Sequence, residues 1–242
     1  MNSTNAIARL AGLQYVLFSI LAIFGYMVVP GRFVVLGDAA ATAHKITEGA
    51  FLYRMGILAS LTGHILFIFL VLTLYRLFED VDRKQARLMV ALVCVGAAAE
   101  IVNLANRVAP LVLLSGADYL SAFTQAQRES LALTFLRFGN SLAQLLTAFW
   151  GLWLFPFGIL TIRSRLFPKF LGVLLLVSGV AYVVTCVVRL LLPDQFSVVS
   201  RIVSPLYLGE VVMVLWLAIM GAKESPGRTV GGAGSRASGA PA

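Results

Sequence analysis

Six long runs of apolar residues dominate this chain, and they constrain its fold more than any other feature. A helix that crosses a bilayer needs about 20 mostly apolar residues, because its backbone polar groups must be satisfied within the segment across roughly 30 Å of hydrocarbon. The runs cover residues 10–29, 53–78, 88–114, 138–162, 170–192 and 202–222. The sequence therefore predicts an all-α fold, a polytopic transmembrane bundle of about six helices.

The composition agrees with lipid as the main solvent. Only 12% of the residues are charged, about half of the roughly 25% that is typical of soluble domains. The net charge of +8 is divided among the ends of the apolar runs, which favours the bilayer as partner and argues against nucleic acid. From residue 223 onward Gly, Ser, Ala and Pro predominate. We therefore expect one transmembrane domain over residues 1–222 and a disordered tail over 223–242.

The distribution of Lys and Arg predicts how the bundle is oriented. Of the 19 basic residues, 11 belong to the two chain ends and to the connections after the second and fourth runs. Cytoplasmic segments are the richer ones in Lys and Arg. Both termini are therefore expected in the cytoplasm, and the two long connections, residues 31–52 and 115–137, are expected outside.

Several polar side chains lie inside the apolar runs. A charge at the bilayer centre costs at least about 2.5 kcal/mol, so such a side chain normally faces the bundle and finds a partner. In the third run Glu100, Asn103 and Arg107 lie within about 60° on one helical face. In the predicted topology these groups and the other candidates lie in the outer half of the bilayer. The other candidates for a ligand-binding polar pocket are Arg54, Asn106, Arg137, Asn140, Gln144, Arg189 and Glu210.

Two interpretations of this polar cluster remain open. In one, the cluster forms a pocket that is open to the outside, where Glu100 and Glu210 are acids and the arginines are cationic partners or anion ligands. In the other, the same residues form interhelical ion pairs and hydrogen bonds that only set the helix register. The sequence does not show which partner Glu100 has.

Residues that carry common catalytic or metal chemistry are scarce. The chain has two histidines, His44 and His64, and two cysteines, Cys94 and Cys186, without metal-ligand spacing. Paired histidines for haem and a nucleophile with its base are both missing. We therefore expect no metal, no cofactor and no assigned catalytic residue. The large aromatic side chains, Trp150, Trp153, Tyr207 and Trp216, are expected at the membrane interface or facing lipid.

Four stretches of the sequence carry a resemblance to a known family. They are LYRLFEDVDRKQARLM at 74–89, AAAEIVNLANR at 97–107, WLFPFGILTIRSRLFPKFLGVLLLVSGVAYVV at 153–184 and GEVVMVLWLAIMGAK at 209–223. Together they resemble the bacterial domain-of-unknown-function 4386 family of multi-helix integral membrane proteins, over roughly residues 5–223. The resemblance implies a single helical bundle in the bacterial inner (plasma) membrane. It implies no particular activity, substrate or cofactor.

Three functions are compatible with these features. The first is a non-enzymatic protein that binds, transports or senses a small molecule or ion through a polar pocket in the outer half of the bilayer. The second is an intramembrane enzyme that acts on a lipid or isoprenoid and uses Glu100 or Glu210 as general acid or base. The third is a structural membrane subunit whose polar residues only hold the helices together.

Overall fold

The structure is a computed structural model, and it describes residues 3–223. Six helical segments in it are long and apolar enough to cross a membrane. We call them spans 1 to 6: Thr4–Phe33, Ala50–Phe78, Arg83–Leu113, Gln125–Ser164, Lys169–Leu191 and Pro193–Ile219. The predicted all-α fold with six spans is confirmed. Of the disordered tail predicted over 223–242, only Lys223 belongs to the described residues, and the rest lies outside them.

The six spans form a ring in chain order. Each span packs against the next, and span 6 packs against span 1. Because the crossings alternate, both ends of the described chain lie on one side, together with the short turns at residues 79–82 and 165–168. We call this the turn side, and the opposite one the loop side. On the turn side, the backbone N–H of Ala222 donates to Oδ1 of Asn5 at 3.2 Å, which connects the two ends of the ring.

Four of the spans are interrupted, whereas spans 2 and 5 are continuous α-helices. A π-helix, Phe24–Val28, separates the helices Ser3–Ile23 and Val29–Phe33 of span 1. Span 3 consists of Arg83–Asn103 and Ala105–Leu113, and span 4 consists of Gln125–Leu152 and Leu154–Ser164. Span 6 contains two 3-10 segments and two α-helices, in the order Pro193–Gln195, Phe196–Val203, Ser204–Tyr207 and Leu208–Ile219. The interruptions free backbone groups that side chains then contact.

The two long connections predicted from the sequence are shorter in the structure. Span 4 begins at Gln125, because the Thr124 side chain accepts the Gln127 N–H while the Gln127 side chain accepts the Thr124 N–H. This reciprocal pair is a capping box, a strong helix start. At 40 residues, or ~60 Å, span 4 extends well beyond the hydrocarbon. The other connection contains a helix, Ala39–Glu48, capped by the side chain of Asp38.

Glycines bring spans 4 and 5 into close contact. A Cβ atom added at Gly158 would lie 2.8 Å from the Gly172 carbonyl oxygen, and one added at Gly151 would lie 2.8 Å from the Gly179 carbonyl oxygen. Small residues at such positions let helix backbones approach closely in membranes. The contact extends over two turns of both helices. It therefore holds these two spans in one register.

The expected position of Trp153 at the interface or in lipid is wrong. Its side chain is 1% exposed and stacks on Phe157, with ring centroids 5.2 Å apart. Phe67 of span 2 meets the indole edge-on, also at 5.2 Å. Aromatic rings bury a large apolar area, so this cluster forms the centre of the bundle.

Candidate functional site

A pocket of about 260 Å³ lies on the loop side, among the first four spans. Its mouth is marked by Leu36, Arg137 and Asn140, which line the pocket and are exposed. Most of its wall is apolar, and a few polar groups converge on it, which is the usual character of a small-molecule site. The wall residues are Tyr26, Val29, Pro30, Val34, Leu36, Tyr53, Ile57, Asn103, Leu104, Arg107, Leu136, Arg137, Gly139, Asn140 and Ala143.

Arg107 connects three spans at this pocket. It follows the interruption of span 3 at Leu104, and its Nη1 donates to the carbonyl oxygen of Gly25 at 2.8 Å and to Oγ of Ser60 at 3.0 Å. Gly25 belongs to the π-helix of span 1, and such segments occur frequently at functional sites. The Tyr53 hydroxyl donates to the Arg107 carbonyl oxygen at 2.8 Å. The guanidinium group is therefore held in a defined orientation.

Tyr26 lies between Arg107 and Glu100. The guanidinium carbon of Arg107 is 4.6 Å from the centre of the Tyr26 ring, a cation–π contact. The hydroxyl of the same tyrosine donates to Oε2 of Glu100 at 3.4 Å. Within residues 3–223 no cationic side chain forms an ion pair with Glu100. Glu100 and Arg107 of span 3 are thus connected through the neutral side chain of Tyr26 on span 1.

Two asparagines continue the network toward span 4. Nδ2 of Asn103 donates to Oε2 of Glu100 at 3.3 Å and to the carbonyl oxygen of Gly139 at 3.0 Å. Nδ2 of Asn106 donates to Oδ1 of Asn103 at 3.0 Å. A Cβ atom at Gly139 would lie 2.7 Å from Cβ of Asn106, so glycine is needed for this approach. The network therefore supports the inner wall of the pocket from behind.

The predicted site residues fall into three groups. The structure brings Asn103, Arg107, Arg137 and Asn140 together on the pocket wall, with Glu100 and Asn106 behind it. Three others, Arg54, Gln144 and Arg189, do not line the pocket. Arg54 is exposed on span 2, and Gln144 is half-buried on span 4. Arg189 is exposed, and its guanidinium carbon lies 4.4 Å from the centre of the Phe196 ring.

Glu210 belongs to a separate cluster among spans 1, 5 and 6. It accepts hydrogen bonds from the hydroxyls of Tyr15 and Tyr182, the latter at 3.0 Å. Tyr182 stacks on Tyr207, whose hydroxyl lies 2.5 Å from Oγ1 of Thr185. This cluster adjoins the 3-10 segment Ser204–Tyr207 that interrupts span 6.

Aromatic side chains separate the two carboxylates. The Trp150 ring is 5.9 Å from the His64 ring and 5.2 Å from the Phe67 ring, and Phe67 in turn is 5.9 Å from Tyr15. His64 is buried, and its Nδ1 donates to the Ser60 carbonyl oxygen at 2.8 Å. Neither Glu100 nor Glu210 is part of the pocket wall.

Several groups that complete the site were not predicted from the sequence. These groups are Tyr26 and Tyr53 on the wall, Ser60 behind it, and the Gly25 carbonyl. A tyrosine within an apolar run is a weak signal, because its ring fits lipid, core and interface equally well. The Gly25 carbonyl has no sequence signal at all. Its contact with Arg107 depends on a local π turn.

Comparison with known proteins identifies a family for this chain. The family model "Domain of unknown function (DUF4386)" matches residues 10–221, which is nearly the whole of the six-span bundle. No curated protein and no solved structure matches the chain. The family description names no activity, so it adds no role for any residue of the pocket. By this match, the chain belongs to the DUF4386 family.

Proposed function

We propose that this chain is a non-enzymatic membrane protein that binds a small molecule in the loop-side pocket, for transport or sensing. One observation carries the proposal: a cavity of about 260 Å³ with an apolar wall and an arginine held in place by three spans. A polar group that is oriented before a ligand arrives loses less entropy on binding. A network that only held helices together would not need an open cavity beside it.

The other two hypotheses have less support from the geometry. A general acid or base has to reach the reacting group of a bound substrate, and neither Glu100 nor Glu210 lines the pocket. Hydrogen-bonded side chains of Glu210, Tyr15 and Tyr182 do fit a structural role, because they connect three spans. We therefore assign binding to the pocket and interhelical connection to the Glu210 cluster.

The proposal includes a location. Six apolar helices indicate a multi-pass membrane protein. The excess of Lys and Arg on the turn side supports a cytoplasmic turn side, with the bundle in the inner (plasma) membrane. The pocket would then face the exterior. Its ligand would reach it from outside the cell or from the outer leaflet.

Filling the pocket tests this proposal. Ala143 lines the pocket, and Ala143→Phe would place a ring in it. Ala91→Phe, at an exposed position of span 3, is the matched control. Purified wild type and both variants are heated in neutral detergent with a panel of metabolites and lipids. A true ligand at about 100 times its Kd stabilises the fold by about 2.7 kcal/mol.

We expect at least one ligand class to raise the melting temperature of the wild type and of Ala91→Phe but not of Ala143→Phe. Since both variants add the same ring, a difference between them reports on the pocket. If every ligand that stabilises the wild type stabilises Ala143→Phe equally, the pocket is not the binding site and the proposal is wrong.

A further inference from the structure

We infer that the pocket binds an anionic amphiphile, a molecule with a negatively charged head and a short aliphatic body. The inference rests on the proposed function and specifies its ligand class. Arg107 and Arg137 are the two charged side chains among the wall residues, and no Asp or Glu lines the pocket. Within residues 3–223 neither arginine has a carboxylate within 4.0 Å.

Arg107 also has hydrogen-bonding capacity left. A guanidinium group carries five N–H donors in a planar fork. In the described part of the chain, Nη1 makes both side-chain hydrogen bonds of Arg107, to Gly25 and Ser60, while Nε and Nη2 donate to no protein acceptor. Arginine forks match the geometry of carboxylate and phosphate oxygens. The protein thus orients this side chain but leaves most of its donors to a ligand.

The two charged side chains line the same cavity but differ in their exposure. Arg107 is half-buried, and Arg137 is exposed at the mouth beside Asn140. Half-burial strengthens an interaction with an anion relative to open water. Arg54 is a useful contrast, because it lies on a neighbouring span, is exposed and does not border the cavity.

The remaining wall selects the body of the ligand. Val29, Val34, Ile57, Leu104 and Leu136 form an apolar surface in the same cavity. Burial of an aliphatic chain there gains about 0.8 kcal/mol for each CH₂ group. The volume of about 260 Å³ holds about nine groups of the size of a water molecule. A single aliphatic chain with a small acidic head fits this volume, whereas an intact two-chain phospholipid does not.

Direct binding of radiolabelled octanoate to the purified full-length protein in a neutral detergent tests the inference. Octyl phosphate and octanol are the competitors, since they keep the chain and change the head. Arg137→Gln is the test variant, because its side chain is exposed and its loss should not disturb folding. Arg54→Gln removes the same charge at a neighbouring position outside the pocket and is the matched control.

We expect saturable octanoate binding that octanol displaces at least about tenfold less well. Loss of one charged hydrogen bond corresponds to roughly tenfold in affinity. Arg137→Gln should therefore weaken octanoate binding about tenfold and reduce the preference over octanol, while Arg54→Gln stays within about twofold. Tighter binding of octyl phosphate would also support an anionic head and would identify phosphate as the better one.

The possible failures are distinguishable. If octanol competes as well as octanoate and Ala143→Phe abolishes binding of both, the pocket binds small molecules without a charge preference. The inference is then wrong, and the proposed function stands. Binding of octanoate that survives Ala143→Phe would place it outside the pocket and would contradict the inference, while the ligand panel with Ala143→Phe still decides the proposed function. If folded wild-type protein shows no saturable octanoate binding, an anionic amphiphile is not the ligand.

Discussion

Tyr15 and Tyr26 lie on the same span, ~16 Å apart along the helix axis, and each donates its hydroxyl to a different glutamate. At the scale of single residues, the described part of the bundle holds its two intramembrane carboxylates with neutral donors and not with arginine. A hydroxyl inside the bundle needs an acceptor, since lipid offers none. Tyrosine is therefore a connecting side chain between spans here.

Loss of the Tyr15 hydroxyl should destabilise the fold. Interhelical hydrogen bonds in membranes average about 0.6 kcal/mol and reach about 1.7 kcal/mol. Because Tyr15 is 2% exposed and its ring stays in place, Tyr15→Phe should lower the free energy of unfolding by an amount in this range. Unfolding in mixed micelles with a denaturing detergent measures it. Tyr75→Phe is the control, because the Tyr75 hydroxyl makes no hydrogen bond to the described residues. An equal loss in both variants would contradict this role.

The polar face of span 3 is the part of the network that could be predicted from the sequence, and the role of its residues in binding stays a prediction. Helical periodicity correctly placed Glu100, Asn103 and Arg107 on one face, since all three belong to one network. Periodicity could not show that Arg54 is exposed while its neighbour Tyr53 is buried. Adjacent helical positions differ by only about 100°. Which of them faces the bundle depends on the neighbouring spans, and a single sequence does not contain that information.

At the scale of helices, interruptions and glycine contacts shape the bundle. The pocket adjoins the π-helix Phe24–Val28 and the break at Leu104, where backbone geometry departs from a regular helix. The capping box at Thr124 has a sequence signature, a Thr followed three residues later by a Gln, but the apolar run itself begins only at residue 138. The π-helix was not predictable. No residue type in the segment signals it, although Gly25 within it lies against Ser60 of span 2 and accepts a hydrogen bond from Arg107 of span 3.

Two glycine-to-alanine substitutions should have opposite effects. In Gly151→Ala the new Cβ would lie 2.8 Å from the Gly179 carbonyl oxygen, so spans 4 and 5 must separate. Overpacking of this kind costs about 1–3 kcal/mol. In Gly63→Ala the nearest atom is 3.5 Å away, and alanine is the better helix former by about 0.5–1 kcal/mol.

The same unfolding titration compares the two variants. We expect Gly151→Ala to be less stable than the wild type and Gly63→Ala to be equally or more stable. Both variants add one methyl group within a span, so the comparison isolates the space at each site. A stable Gly151→Ala protein would show that spans 4 and 5 can separate at no cost.

At the scale of the whole molecule, six alternating crossings place both ends of the described chain on the turn side. The number of spans followed from the apolar runs alone, because hydrocarbon thickness leaves little freedom in helix length. The order around the ring did not follow from them. Six helices of similar composition can neighbour each other in many ways, and only the packed side chains select one.

Orientation in the membrane is testable by fusions in a bacterial host. A green fluorescent protein after Lys223 should be fluorescent, and alkaline phosphatase inserted at Gly116 should be active. Phosphatase inserted at Asp80, on the turn side, should be inactive. Lys and Arg predominate on the turn side, which is why we expect that side in the cytoplasm. The reverse pattern would invert the topology and place the pocket on the cytoplasmic side.

The contact between span 6 and span 1 has a consequence for biosynthesis. A ribosome delivers span 1 first and span 6 last, and spans 1 to 5 are synthesised before Glu210 exists. Until then the Tyr15 hydroxyl has no acceptor from span 6, and the small surface at Gly12 that meets the Ala218 backbone stays uncovered. The contact between span 1 and span 6 therefore forms only after span 6 has been synthesised. A chain that stops before span 6 leaves the Tyr15 hydroxyl without its Glu210 acceptor and leaves the Gly12 surface uncovered.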